Sequence, residues 1–356
     1  MRMVNRSVRE QNERSKIFKN MIENLLSYGW WVAVILIIVG FIALVKGADW
    51  LVDGASAVAK RSGVSDLVIG LTVVAFGTSM PEFVVNMVSV GHGTTELAIT
   101  NILGSNIINT FVILGLTALV YPIASRRSTR NFDIPMSFLG CVGVYYAATL
   151  PHVLGRTTAC IDRYCGAALL VFFIYFLYTT FRNARAHQGE TIEEEHSPAS
   201  AQGGETTLGK AILLILAGLA GLVVGGELIV DSAVDIATRL GVSEAVIGLT
   251  VVALGTSLPE LATSVMAAFK KNCDLAIGNV IGSNIFNIFF ILGTSALIRP
   301  LPAYRGLEID AFMAALGSLI IWLALKSRRE HTIGRITGII LLIVYAGYLS
   351  YRLLNV

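Results

Sequence analysis

The chain has 356 residues, 54% hydrophobic and only 14% charged, with a formal net charge of +3. This composition, with apolar runs of about 18 residues or more, excludes one or two water-soluble domains and marks a multi-pass membrane protein. Its basic residues lie between the apolar runs and form no stripe, which excludes a nucleic-acid-binding surface.

Residues 1–29 read as an N-terminal tail. Its first twenty residues hold six Lys and Arg, all before Met21, which points to translation beginning there. Apolar spans are predicted near 31–59, 66–90, 95–120, 133–151 and 160–181, and again near 209–238, 245–268, 273–298, 308–326 and 333–354. The first span carries Lys46, Asp49 and Asp53. The two aspartates sit toward its end, where an interfacial or capping role is expected. The second span contains GVSDLVIGLTVVAFGTSMPE (63–82), with Pro81 and Glu82 at membrane depth. The third contains NILGSNIIN (101–109). The only substantial hydrophilic stretch inside the protein, within 184–208, is expected to be a solvated linker between a first five-helix unit, 30–183, and a second, 209–356.

The second unit repeats the first at a constant offset of 178 residues. GVSEAVIGLTVVALGTSLPE (241–260) matches 63–82 at 16 of 20 positions, and NVIGSNIFN (279–287) matches 101–109. Asp231 matches Asp53. Five spans is an odd number, so the second unit enters the membrane from the opposite side and the repeats are expected to be inverted. Fourteen Lys and Arg fall in the loops on one side against six on the other, which places the N-terminus outside. The basic tail runs against that assignment.

Pro81 and Pro259 lack an N–H, so the carbonyls of Gly77 and Gly255 lose their helical partners. Irregular backbone at membrane depth survives only where protein or a wet cavity satisfies it. Thr78, Ser79, Thr256 and Ser257 add hydroxyls within one turn of Glu82 and Glu260. Ser105 and Asn109 are spaced i, i+4, as are Ser283 and Asn287, so each pair projects from one helix face. Gly104 and Gly282 permit close approach, and Asn106 and Asn284 point elsewhere, toward freed carbonyls. Such small polar motifs also serve as packing devices. Two carboxylates without a basic neighbour are costly to bury, however, and an ionisable group inside a membrane marks function. All the donors are hard oxygens, suited to Ca²⁺ or Na⁺ and not to a soft metal. Cys141, Cys160, Cys165 and Cys273 lack metal-ligand spacing and read as small apolar fillers.

The paired segments GLTVVAFGTSMPE with GSNIIN, and GLTVVALGTSLPE with GSNIFN, resemble the two α-repeats of the sodium/calcium exchanger family, within the cation/calcium antiporter superfamily. The likeness spans nearly all the chain after residue 30. It implies an all-α integral membrane fold of ten transmembrane helices in two inverted five-helix repeats, with broken helices at the core. The second, third, seventh and eighth helices would surround the ions, and the first and sixth would be long sliding gates. It implies ion-binding roles for Thr78, Ser79, Glu82, Ser105 and Asn109, for Thr256, Ser257, Glu260, Ser283 and Asn287, and for the backbone oxygens of Ala75 and Ala253. Several family members have aspartate where this chain has Asn287, so here two core carboxylates remain instead of three.

The expected function is Na⁺/Ca²⁺ antiport by alternating access in the plasma or inner membrane, with Ca²⁺ and Na⁺ as substrates, the lipid bilayer as surroundings, no cofactor, no nucleic acid and no obligate protein partner. Ca²⁺/H⁺ antiport is the alternative, because buried glutamates can also carry protons. An enzyme is not expected: a hydrolase of lipid phosphates would need Arg or Lys beside the carboxylates. A passive channel is disfavoured because two converging carboxylates hold a divalent ion too tightly for easy release.

Overall fold

The structure, a computed structural model, describes residues 21–22, 24–27, 29–153, 160–186, 207–242, 253–304, 306–327 and 331–354. The expected tail and linker fall mainly outside these residues, as does most of the first half of the seventh predicted span. The long helices are α1 (Trp30–Ser62), α4 (Thr95–Val120), α5 (Ile134–Val153), α6 (Arg163–Ala186), α7 (Leu208–Arg239), α9 (Cys273–Ile298), α10 (Leu307–Ser327) and α11 (Arg335–Leu354). Two shorter helices, α2 (Asp66–Thr78) and α3 (Met80–His92), meet at a 46° bend; after the turn Ala253–Thr256, α8 runs over Leu258–Phe269.

Among the described residues, seven helices are long and apolar enough to cross a membrane, and eight if the bent pair α2–α3 is one span. Nine of the ten predicted spans fall on the helices named above to within a few residues, and the described part of the seventh falls on the turn Ala253–Thr256 and on α8. Large apolar side chains such as Ile35, Ile38, Phe41 and Ile42 on α1 and Leu213 and Leu216 on α7 face outward. A lipid environment makes that exposure favourable.

The centre belongs to α9 and α4, whose spanning windows are 94% and 78% buried, against 33% for α1 and α7. From Leu275 to Leu292 every residue of α9 but Phe290 is buried, apolar Ile281 and Ile288 as well as polar Asn279, Ser283, Asn284 and Asn287, as in a helix surrounded by protein. With 33 residues, α1 is about 50 Å long, well beyond a ~30 Å hydrocarbon layer, so it must tilt or project.

α1 and α7 pack antiparallel along a seam of small residues. A Cβ on Gly40 would stand 2.8 Å from the carbonyl oxygen of Gly225, one on Gly47 2.7 Å from that of Gly218, and one on Gly54 2.8 Å from that of Ala211. Gly40 and Gly218 are separated by 178 positions, as are Gly47 and Gly225, so the seam joins each glycine to the partner of the other. Only hydrogen fits where backbones approach this closely.

Four two-residue strands tie the units reciprocally. β1 (Ile123–Ala124), after α4, pairs antiparallel with β4 (Thr332–Ile333), before α11. β3 (Leu301–Pro302), after α9, pairs antiparallel with β2 (Cys160–Ile161), before α6.

The seam generates a test. Gly47→Ala gains helix propensity of roughly 1 kcal/mol but drives a methyl into backbone, at a cost of roughly 1–3 kcal/mol. Gly226→Ala has the same propensity gain with no atom within 4 Å of the new carbon. We expect thermal unfolding in detergent to show a lower midpoint for Gly47→Ala and an equal or higher one for Gly226→Ala. Equal midpoints in both variants would show that the seam is not tightly packed.

Candidate cation site

The break between α2 and α3 is built by Ser79 and Pro81. Ser79 leaves helical geometry at φ −83°, ψ 8°, and Pro81 follows in the first turn of α3, where its missing N–H costs nothing. Ser257 repeats this at φ −90°, ψ 5°, with Pro259 in the first turn of α8. Each restart places a glutamate, Glu82 or Glu260, in the first turn of its helix with no exposed surface. The helix N-terminus there, with its free N–H groups, eases the burial of negative charge.

Three of the core segments are π-helical: Gly70–Val74 in α2, Ile108–Ile113 in α4 and Phe286–Leu292 in α9. A π turn inserts an extra residue and re-aims the side chains that follow it, commonly at functional sites. Asn109 and Asn287 each fall second in such a segment, one turn beyond Ser105 and Ser283. The i, i+4 spacing therefore holds in sequence, while the local geometry is not that of an ideal α-helix.

The hydroxyls were expected beside the glutamate of their own repeat, but tertiary packing crosses them over. Ser79 Oγ donates to Glu260 Oε1 at 2.9 Å, and Ser283 Oγ donates to the same oxygen at 3.3 Å. Ser105 Oγ donates to Glu82 Oε1 at 3.2 Å and lies 3.0 Å from Ser257 Oγ. Asn287 Nδ2 donates to Ser105 Oγ at 3.3 Å and to Asn106 Oδ1 at 3.0 Å. Glu260 with Ser79 and Ser283, and Glu82 with Ser105, Ser257 and Asn287, thus form two buried hydrogen-bonded groups, each drawing on both repeats.

Each glutamate turns one oxygen to hydroxyls and leaves the other without a hydrogen-bond partner. Among the described residues, Glu82 Oε2, Glu260 Oε2, Asn109 Oδ1, Asn287 Oδ1 and Thr256 Oγ1 are all buried and unpartnered. Neither carboxylate has an ion-pair partner among these residues. Unpaired buried oxygens are expensive, and a hard cation satisfies several of them at once. The donor set fits Ca²⁺ or Na⁺: two carboxylates, amide carbonyls and hydroxyls, with no thiol or imidazole.

Thr78 is placed differently. Its hydroxyl donates to Asn279 Oδ1 at 3.1 Å and to the Ala75 carbonyl at 3.4 Å. That carbonyl also accepts from the Ser79 N–H at 3.0 Å, so an ion drawing on Ala75 would compete with the Thr78 contact. Ala253 opens the short turn ahead of Ser257, as Ala75 does ahead of Ser79. Asp53 lies apart from both groups, in an ion pair with Lys270, as an interfacial residue should.

Sequence reasoning passed over Asn279. Its Nδ2 donates to Ser264 Oγ at 2.9 Å and to the Glu260 carbonyl at 3.3 Å, while its Oδ1 receives Thr78. The signal was available: Asn279 stands four residues before Ser283, on the same face. Of Asn106 and Asn284, expected to point toward the carbonyls of Gly77 and Gly255, one bonds to another backbone carbonyl and the other to a side chain. Asn106 Nδ2 donates to the Asn284 carbonyl at 3.1 Å, a contact between residues at equivalent places in the two repeats. Asn284 Nδ2 instead reaches Thr110 Oγ1 at 2.8 Å.

The family profile described as sodium/calcium exchanger protein matches residues 32–182 and 210–354. The chain is 36% identical over 321 residues to the putative antiporter CaxA of Alkalimonas amylolytica, covering 89% of this chain and 97% of that protein. It is 34% identical over 316 residues to the inner membrane protein YrbG of Escherichia coli (strain K12), covering 87% and 93%. Its fold is similar to a structure of the sodium-calcium exchanger NCX_Mj soaked with Na⁺, with a TM-score of 0.75 and 32% identity over 90% of this chain and 99% of that one.

These contacts set Asn279 apart from its counterpart Asn101, whose Nδ2 is buried without a hydrogen-bond partner among the described residues. Asn279→Leu strands Thr78 and Ser264 and should cost roughly 1–3 kcal/mol in stability. We expect it also to reduce the rise in thermal midpoint that Ca²⁺ confers, because it loosens the start of α8 around Glu260. Asn101→Leu should be milder on both counts. The measurement is thermal unfolding of each variant with and without Ca²⁺, and equal losses would contradict the assigned asymmetry.

Proposed function

Because this chain belongs to the sodium/calcium exchanger family, a family of membrane transporters, we propose that it is a secondary antiporter moving Ca²⁺ out of the cytoplasm against inward Na⁺. The single observation that carries this reading is the pair Glu82 and Glu260: wholly buried and, among the described residues, without a cationic partner and each with one unpartnered oxygen. In this reading Glu82 and Glu260 supply charge, Ser79, Ser105, Ser257, Ser283, Thr78, Thr256, Asn109 and Asn287 supply neutral oxygens, and the carbonyls of Ala75 and Ala253 complete the shell.

We read the chain as ten spans in two inverted five-helix units, 30–183 and 209–356, joined by 184–208, with the N-terminus outside. The antiparallel α1–α7 seam and the reciprocal β1–β4 and β2–β3 clasps support that arrangement. Alternating access then arises when the α1–α7 pair shifts relative to the core formed by α2, α3, α4, α8 and α9. The small-residue seam keeps α1 and α7 together as a pair, and an apolar cluster of Leu44, Leu51 and Leu222 with Ile69, Val74, Ala267 and Leu275 forms the face on which that pair would shift over the core.

Charge fixes the coupling. The two glutamates carry −2, which one Ca²⁺ or two Na⁺ neutralise. Any further Na⁺ moves net charge, coupling exchange to the membrane potential at about 2.3 kcal/mol per 100 mV.

The test is Ca²⁺ flux in proteoliposomes with Na⁺, K⁺ and pH varied separately. Imposed Na⁺ gradients should drive Ca²⁺ uptake, and Glu82→Gln or Glu260→Gln should abolish it to a similar degree while the protein still folds. Near-native uptake by either variant would remove the basis of the mechanism. Uptake that follows a pH gradient without Na⁺ would replace it with Ca²⁺/H⁺ antiport.

Asn287 yields a second expectation. With an amide at this position no third carboxylate demands another cation, so flux should be independent of K⁺. Asn287→Asp makes the site −3 and should introduce a dependence on an added monovalent ion or proton. Asn287→Ala should impair transport less than either glutamate variant. A strict K⁺ requirement in the native protein would show that the charge count is wrong.

A further inference from the structure

Outside the central site, the turn between α8 and α9 holds α1 by a cluster of charged and polar contacts. Lys270 Nζ lies 2.7 Å from Asp49 Oδ1 and 2.6 Å from Asp53 Oδ1, and donates to the Asp49 carbonyl at 3.2 Å. Two residues on, Asn272 Nδ2 donates to Ser56 Oγ at 3.1 Å and to Asp66 Oδ2 at 2.7 Å, while its Oδ1 caps α9 at the Leu275 N–H, 3.0 Å away. Asp49, Asp53 and Ser56 are spaced i, i+4, i+7 and line one face of α1. Between the gripping residues, Lys271 takes a left-handed conformation at φ 58°.

The repeat offset carries these positions into the other unit with one telling exchange. Asp49 corresponds to Glu227 and Asp53 to Asp231, so α7 has the same pair of carboxylates at i, i+4. Lys271 corresponds to Gly93, which ends α3 in the same left-handed region at φ 85°. Lys270 corresponds to His92. The left-handed turn and the pair of carboxylates are duplicated, but lysine is replaced by histidine.

In inverted-repeat transporters, the two access states are related by each repeat taking up the conformation of the other. We propose that Lys270 and His92 are reciprocal latches. Lys270 holds α1 against the α8–α9 turn in the access state seen here, and His92 holds α7 through Glu227 and Asp231 in the opposite one. This rests on the antiport reading above. With the N-terminus outside, the lysine latch closes the cytoplasmic face and the histidine latch the external one. The other charged groups at the His92 turn among the described residues are Glu96, which lines a cleft with Gly93 and Thr94, and Arg299, whose guanidinium packs over Gly93. They oppose one another in sign, so the carboxylates of α7 decide the balance.

Hydrogen exchange on the full-length protein in detergent tests the latches without reference to transport. Lys270→Met should speed exchange in the 47–60 segment of α1 by on the order of fivefold, the scale of a partly exposed ion-pair cluster. Pairing Lys270→Asp with Asp53→Lys should restore protection. On the other face, exchange in the 225–239 segment of α7 should slow in His92→Lys, which offers a longer cationic side chain to Glu227 and Asp231, and quicken in His92→Leu. Unchanged exchange in Lys270→Met, or in both His92 variants, would overturn the proposal. A failure of Na⁺-driven Ca²⁺ flux would instead overturn the antiport reading and leave the exchange data to judge the latches.

Discussion

Two carboxylates buried at the centre of a membrane protein are the constraint around which this molecule is organised. An isolated carboxylate in a low-dielectric interior carries a penalty of several kcal/mol. Glu82 and Glu260 have no exposed surface and no basic partner among the described residues. The structure meets the cost in part, with serine hydroxyls on one oxygen of each and the N-terminal turns of α3 and α8 behind them. The remaining oxygens are what a transported cation would satisfy. A site complete in itself would have no need to bind, and one more strongly charged would hold its ion too tightly.

The crossing of the hydroxyls gives the site its dependence on both repeats. Ser79 belongs to the first unit and serves Glu260 of the second, while Ser257 reaches Glu82 through Ser105. Neither unit can form its half alone. The Asn106–Asn284 contact, between equivalent positions, ties α4 to α9. Any displacement of one repeat against the other therefore alters the ligands of both glutamates, which is a direct route from motion to affinity.

Strict symmetry is broken in small, chemically pointed ways. Asn279 holds Thr78, Ser264 and the Glu260 carbonyl, whereas the Nδ2 of its counterpart Asn101 has no hydrogen-bond partner among the described residues. Lysine on one face stands where histidine stands on the other. The seam of Gly40, Gly47, Gly218 and Gly225 remains symmetric because two backbones in contact tolerate no side chain on either. Packing enforces the repeat there, and chemistry is free to depart from it elsewhere.

Much of this was legible in the chain. Long apolar runs located the helices to within a few residues, because a hydrocarbon layer demands a fixed length of helix whatever its neighbours. The doubled GTSMPE and GTSLPE motifs located the breaks, since proline removes a backbone donor locally. The glutamates stood out because charge at membrane depth is costly in any fold. The rest depended on distant parts of the chain. Which hydroxyl serves which glutamate, the work of Asn279, the π-helical turns before Asn109 and Asn287, and the grip of Lys270 on α1 all require knowing how the repeats dock. Local sequence determines where a helix starts, breaks and ends; only tertiary packing decides which side chains, some 180 residues apart, come within hydrogen-bonding distance.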